Sequence, residues 1–190
     1  MRIISGKFKG RRFDPPLKRC HTRPTMDMAK EGLFNILGGK FDFDSIDVLD
    51  LFGGTGSISL EFVSRGCPSV QYVDRDFQCI RFVKDVMEKL GIAGELKVSK
   101  QDAIDFIRRT PQRYDIVFAD PPYNFKHTKK IIDIVLDRNL IKEGGYLILE
   151  HDKRHDFSSL PGFVEARVYG TNIFSFFAPY DKETKLQDIQ

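Results

Sequence analysis

Cysteine is scarce in this chain. There are three, Cys20, Cys67 and Cys79, an odd number with no Cys-x-x-Cys pair. That excludes a disulfide framework and gives no support to a structural zinc site; free thiols in a reducing cytoplasm are the simplest account. No stretch approaches the roughly 18 consecutive apolar residues of a membrane span. The first seven residues, with Arg2 and Lys7 flanking Ile3 and Ile4, are too polar for a secretory signal. Internal repeats and low-complexity tracts are also missing. A cytoplasmic protein without membrane contact is expected, and a monomer is the default. The 190 residues, 41% hydrophobic and 30% charged, suit one full core with at most a small appendage.

Net charge is small too, only +3, but it is unevenly spread. Residues 1–30 hold nine Lys/Arg (among them Lys7, Lys9, Arg11, Arg12 and Arg23) against Asp14 and Asp27, whereas the remainder holds 21 basic and 25 acidic residues. A basic arm on a slightly acidic body points to phosphate contact. A solvated extension is the bland alternative, but Ile3, Ile4, Phe8, Phe13 and Leu17 interleave with the charges. That pattern suits a short β element anchored on the body.

Hydrophobic periodicity organises the rest. An irregular β hairpin or strand is expected over residues 2–13, a Pro-rich loop over 14–24, and a helix over 25–37 stopped by Gly38-Gly39. From there strands (46–51, 69–73, 95–99, 114–119 and 145–150) alternate with helices (57–65, 77–90, 102–109 and 127–138). Such alternation implies a mostly parallel sheet. Residues 163–169 and 172–178 are two β runs separated only by Gly170-Thr171, too close for a helical crossover, so they should form an antiparallel hairpin.

The sharpest chemical signal is Asp120-Pro121-Pro122-Tyr123 at the end of the apolar run 114–119. An aromatic amine is a poor nucleophile because its lone pair is delocalised into the ring. The Asp120 carboxylate and a carbonyl beside the rigid prolines can each accept a hydrogen bond from such an NH2 group. Two acceptors pull its nitrogen toward a tetrahedral geometry, and Tyr123 can stack on the base. A Pro-Pro turn that merely ends a strand would look the same in isolation.

A second motif narrows the choice. Strand 46–51 runs into Phe52-Gly53-Gly54-Thr55-Gly56-Ser57. Gly54 and Gly56 let backbone approach a ligand. They fill the first two positions of a dinucleotide fingerprint, but Ser59 stands at the third. Asp50, just before the loop, would repel a pyrophosphate and attract the ammonium of a methionine moiety. The loop therefore suits S-adenosylmethionine better than NAD. Asp74, 24 residues beyond Asp50, can take ribose hydroxyls, and Asp102 with Ala103 can meet an adenine. Each acid alone could be a helix N-cap or loop residue. Together Asp50, Asp74, Asp102 and Asp120 all follow apolar strands, which in an open α/β sheet places them along one ligand-binding edge.

His151 and His155, spaced i, i+4 beside Glu150, invite a metal reading, but a charged loop at a strand end fits surface residues better. No metal is expected. Phe174, Phe176 and Phe177 read as core.

Three stretches give the chain a resemblance to a known family: 2–10 (RIISGKFKG), Arg23-Pro24-Thr25 with 31–37 (EGLFNIL), and 50–57 (DLFGGTGS). With Asp-Pro-Pro-Tyr after the fourth strand, it resembles the RsmD-type enzymes, class I methyltransferases that methylate a guanine N2 in 16S ribosomal RNA. The resemblance implies an α/β, Rossmann-like fold whose seven-stranded, mostly parallel sheet ends in the antiparallel hairpin, with a small N-terminal β/helix extension. Residues 1–40 would form an RNA-contacting extension, 41–180 the methyltransferase domain and 181–190 a flexible tail. It also implies that Asp50, Phe52, Gly54 and Gly56 line the methionine end of S-adenosylmethionine. Asp74 would hold the ribose, Asp102 and Ala103 the adenine, and Thr25 the rim of the cofactor site. Asp120, Pro121, Pro122 and Tyr123 would grip the target base, and Lys7, Lys9, Arg11, Arg12 and Arg23 would contact 16S RNA or the small ribosomal subunit. Gly53 stands where small residues are usual and should only loosen the loop. Lys30 is the lone basic residue after Asp27 in the first helix, which weakens a phosphate role there. Asp-Pro-Pro-Tyr is shared with adenine-N6 methyltransferases, and a non-catalytic RNA-binding assembly factor on this fold is the more distant alternative.

Overall fold

A computed structural model describes residues 1–15 and 27–180. The strands are β1 (Asp47–Leu51), β2 (Ser69–Asp74), β3 (Leu96–Lys100), β4 (Tyr114–Ala119), β5 (Ile141–His151), β6 (Phe163–Tyr169) and β7 (Asn172–Phe177). The helices are α1 (Asp27–Gly38), α2 (Ser57–Ser64), α3 (Phe77–Leu90), α4 (Ala103–Arg109) and α5 (Thr128–Asp137).

The seven strands form one sheet in the order β3-β2-β1-β4-β5-β7-β6. Strands β1 to β5 pair in parallel, and β7 enters antiparallel between β5 and β6. This is the Rossmann-like class I methyltransferase arrangement expected from the sequence. Strand order reverses between β1 and β4, the switch point at which ligands bind outside the carboxyl ends of such sheets. The terminal hairpin turns through Gly170-Thr171, with Gly170 left-handed as so tight a connection requires.

Alternation along the strands sorts the core into two layers. Val48, Tyr72, Ile116, Phe118 and Ile148 pack with α1, α2 and α3 on one face. Leu49, Leu51, Val117, Leu147 and Leu149 pack with α4 and α5 on the other. Two elements differ from their sequence outline. β5 begins at Ile141, ahead of the Gly144-Gly145 pair, because the register with β4 shifts between Tyr114 and Ile116 and absorbs the glycines. A short 3-10 turn at Phe43–Ser45 carries Phe43 onto Phe34 and Phe62, an aromatic cluster of tilted and edge contacts.

The N-terminal segment is the irregular hairpin expected, closed by an antiparallel bridge between Arg2 and Arg12. Ile3 is fully buried in the same cluster as α1 and the sheet. The amides of Ile4 and Ser5 donate to the two carboxylate oxygens of Glu61 in α2, at 2.8 and 3.0 Å. Lys30 of α1 completes that anchor: its Nζ reaches Glu61 (3.3 Å), the Arg2 carbonyl (2.6 Å) and the Ser57 hydroxyl (3.1 Å). Burial pushes the Lys30 ammonium down, and Glu61 opposes that shift. Lys30 is therefore an internal tie between arm, α1 and α2.

Candidate active site

The glycine loop is built by local strain and close packing. Phe52 adopts a left-handed conformation (φ 58°), rare for a bulky residue and costing roughly 1–3 kcal/mol, which the surrounding structure must hold in place. Gly53 does more than loosen the loop, contrary to the sequence reading. A Cβ there would collide with the ring of Tyr72, whose hydroxyl donates to the Gly54 carbonyl at 2.7 Å. Gly56 is the left-handed residue before α2, and a Cβ on it would lie 2.8 Å from Val83. Ser59, at the position of the missing third glycine, donates both its amide (3.1 Å) and its hydroxyl (2.5 Å) to Asp50. Asp50 is 1% exposed and thus fastens α2 to the end of β1 from below the loop.

Asp74 ends β2 and faces the same loop. Its oxygens accept from the Gly54 amide (2.8 Å) and the Asp76 amide (2.7 Å), which fixes the carboxylate while leaving further lone pairs on both oxygens. Asp102 caps α4, accepting from the Ile104 and Asp105 amides through one oxygen, and Ala103 is buried behind it. Phe52 packs edge-on against Phe125 (5.1 Å between centroids), so the glycine loop touches the loop that follows Tyr123.

Register brings together acids that lie far apart in sequence. Asp50 pairs with Phe118, Phe118 with Ile148, and Ala119 with Leu149, so Asp120 and Glu150 leave adjacent strands side by side. By alternation Asp50, Asp120 and Glu150 occupy the same face. Burial raises Asp50 to about 7, with Ser59 opposing the shift and Asp74 adding to it. Burial raises Asp120 well above the usual carboxylate range, and Glu150 and Asp50 raise it further. Burial likewise raises Glu150 to about 7, opposed by a hydrogen bond from the Asn172 amide. Among the described residues none of the three acids has an ion pair to a cation, and burial together with their mutual repulsion is what raises them. Sequence reasoning singled out Asp50 and Asp120 but passed over Glu150. The clue was its place one residue beyond the apolar core of β5, the same relation Asp120 has to β4.

Beside these acids a cleft is lined by Pro121, Pro122, Tyr123, Thr128, Glu150 and His151. Pro121 is buried, whereas Pro122 and Tyr123 are exposed, and the Arg154 guanidinium lies over the Tyr123 ring at 5.6 Å. His151 Nδ1 lies 2.9 Å from the Asp152 carbonyl, which can only accept, and Nε2 lies 2.7 Å from the Ser175 hydroxyl; burial pushes the His151 pKa down, which favours the neutral ring. His155 stacks on Phe157 instead of joining His151, and the described residues contain no group of three possible metal ligands.

The N-terminal cations divide. Lys7 pairs with Glu95 at 3.1 Å and Arg2 with Asp27 at 2.9 Å. Lys9, Arg11 and Arg12 are exposed and enter no described ion pair. Arg23, Pro24 and Thr25, and the tail 181–190, lie outside the described residues. No described helix is long and apolar enough to cross a membrane.

Comparison with known proteins agrees with this architecture. The family described as Conserved hypothetical protein 95 matches residues 1–178. YlbH of Bacillus subtilis (strain 168) is 33% identical over 165 residues, covering 85% of this chain and 88% of its own length. Ribosomal RNA small subunit methyltransferase D of Haemophilus influenzae is 31% identical over 179 residues, covering 93% and 91%. Among solved structures, a hypothetical protein of Thermus thermophilus superposes with a TM-score of 0.81 at 26% identity, covering 93% of this chain and 98% of that one. The chain belongs to the Conserved hypothetical protein 95 family, the RsmD-type methyltransferases.

Proposed function

We propose that this chain transfers a methyl group from S-adenosylmethionine to the exocyclic N2 of a guanine in 16S ribosomal RNA of the small subunit. The observation that carries the reading is the placement of Asp120-Pro121-Pro122-Tyr123 at the end of β4, next to the glycine loop of β1, at the switch point of the sheet. The names of its relatives, small-subunit ribosomal RNA methyltransferases from several bacteria, support the substrate class.

The residues present fit a cationic cofactor. A row of acids without paired cations would repel a pyrophosphate and favours a ligand carrying ammonium and sulfonium charge. When bound, S-adenosylmethionine supplies an already activated methyl group, so the protein's task is alignment. Asp74 accepts from the ribose hydroxyls in this reading, and the amides around Gly54 and Gly56 shape the methionine end. Asp50 supports that loop through Ser59. Asp102 and Ala103 border the adenine end. Asp120 and the carbonyl beside Pro121 accept from the two amine hydrogens of the target base, and Tyr123 covers its face. An amine inside a helix cannot reach this edge, so the base must be unstacked. Lys9, Arg11 and Arg12 extend a basic surface toward the RNA backbone, where contacts position without reading sequence.

Mass analysis of digested ribosomal RNA from cells with and without the chain tests this. Loss of one N2-methylguanosine from 16S RNA is expected. Loss of an N6-methyladenosine would replace guanine by adenine, and unchanged RNA would favour an assembly factor.

A further inference from the structure

Asp-Pro-Pro-Tyr suits any planar exocyclic amine, so the motif does not choose the base. Glu150 is the group in this site that can. It is 5% exposed, yet its Oε2 has no hydrogen-bond partner, while Oε1 accepts from the Asn172 amide. A buried, unmatched carboxylate oxygen carries a substantial desolvation cost, and native structures rarely keep one without a use. Glu150 also lines the same cleft as Pro121 and Pro122, and the register of β4 with β5 sets it beside Asp120.

Building on the guanine-N2 reading above, we infer that Glu150 selects the target base, its Oε2 accepting the ring N1–H while Asp120 accepts the neighbouring amine. Guanine presents two adjacent donors, N1–H and N2–H, which two side-by-side carboxyl oxygens match. Adenine presents one donor and a lone pair at N1, which would face Oε2 and be repelled. Asn172 matters as the group that holds Oε1, leaving Oε2 as the unmatched oxygen for the base to satisfy as it enters. A site built to receive a donor rejects an analogue that lacks it, because its own buried group is then left unpaired.

The test uses the full chain and 16S RNA, free or assembled, in whichever form the wild type methylates. The RNA is ligated from segments that carry either guanine or 2-aminopurine at the modified position. 2-Aminopurine keeps the N2 amine but has a lone pair at N1. The wild type is expected to favour guanine in kcat/KM by about ten- to hundredfold, the usual worth of a hydrogen bond to a charged group. Glu150→Gln, whose amide can donate to a lone pair, should lose about tenfold or more on guanine and bring the two bases close to parity. Its S-adenosylmethionine affinity should stay within about twofold, since Glu150 is placed on the base side of the site. A guanine preference that persists undiminished in Glu150→Gln overturns the inference while leaving N2 methylation intact. Should that variant not fold, the wild type alone decides: equal rates on the two bases overturn the proposal. A wild-type product other than N2-methylguanosine instead removes the underlying reading.

Discussion

The two ends of β1, β4 and β5 treat acidic residues in opposite ways. At the amino end Asp47 and Asp115 share the Lys142 ammonium at 2.6 and 2.8 Å, and Asp115 also accepts the Asp47 amide at 2.7 Å. At the carboxyl end Asp50 and Glu150 are buried and Asp120 is half-buried beside them, with raised pKa values and no described cation. The first set is compensated within the fold and belongs to its architecture. The second is left electrostatically incomplete, a cost that structural acids seldom carry and functional ones often do. The comparison teaches that neither burial nor charge alone sets the proposed site apart; the absence of an internal counter-charge does.

The largest expected effect breaks the comparison at its sharpest point. Asp120→Ala should lower kcat and kcat/KM together by roughly a hundredfold or more while leaving cofactor affinity nearly intact. Its counterpart at the other end, Asp115→Ala, should cost about 1–3 kcal/mol of stability, because Lys142 and the Asp47 amide lose a shared acceptor, and should leave turnover per folded molecule unchanged. Methyl-transfer assays paired with urea unfolding read both. Near-normal turnover in Asp120→Ala would reduce that residue to a turn former.

Next comes Asp74→Ala, expected to weaken S-adenosylmethionine binding by about 1–3 kcal/mol through loss of charge-assisted hydrogen bonds and of the tie to Gly54. Calorimetry checks this, and NAD should give no measurable heat. Unchanged affinity would move the ribose site elsewhere.

A smaller effect is legible in pH. Folded Glu150 titrates near 7 instead of at its ordinary 4.5, so between those values the folded chain holds a proton that the unfolded chain has released. The associated stability is complete at low pH and lost as pH rises through about 7, and Asp50 behaves in the same way. The wild type should lose on the order of 1–3 kcal/mol between about pH 5 and pH 8, and Glu150→Gln should lose less. His151, buried and pushed down, pulls in the opposite direction but does so in both proteins. Denaturation at the two pH values decides, and identical slopes would mean that Glu150 stays ionised throughout.

The smallest effect separates cations used by the fold from those left over. Replacing Lys9, Arg11 and Arg12 by Gln should raise KM for RNA and reduce the logarithmic salt slope by roughly 0.7–0.9 per lost phosphate contact. Lys7, tied to Glu95, should contribute less. Lys30→Met should leave the salt slope alone and reduce stability, since Lys30 is buried against Glu61. A triple variant with an unaltered salt slope would make the arm a solvated extension.

Much of the fold is legible in the amino-acid sequence by itself, because its signals act between near neighbours in the chain. Short apolar runs ended by Gly, Pro or Asp mark the parallel strands. Gly170-Thr171 marks the hairpin, and Asp120-Pro121-Pro122-Tyr123 marks the edge at which chemistry is proposed. What only the tertiary structure decided depends on residues brought together from afar. Lys142 meets Asp47 across 95 positions, Lys30 meets Glu61, Ser59 turns back to Asp50, and Gly53 is required by a ring on the next strand. In sequence Glu150 is only a strand-end acid; register sets it beside Asp120 with one oxygen unmatched. Local sequence specifies backbone conformation through periodicity and turn chemistry. Whether a charge is compensated or left open is settled through space, by strand register and by which side chains burial excludes from water.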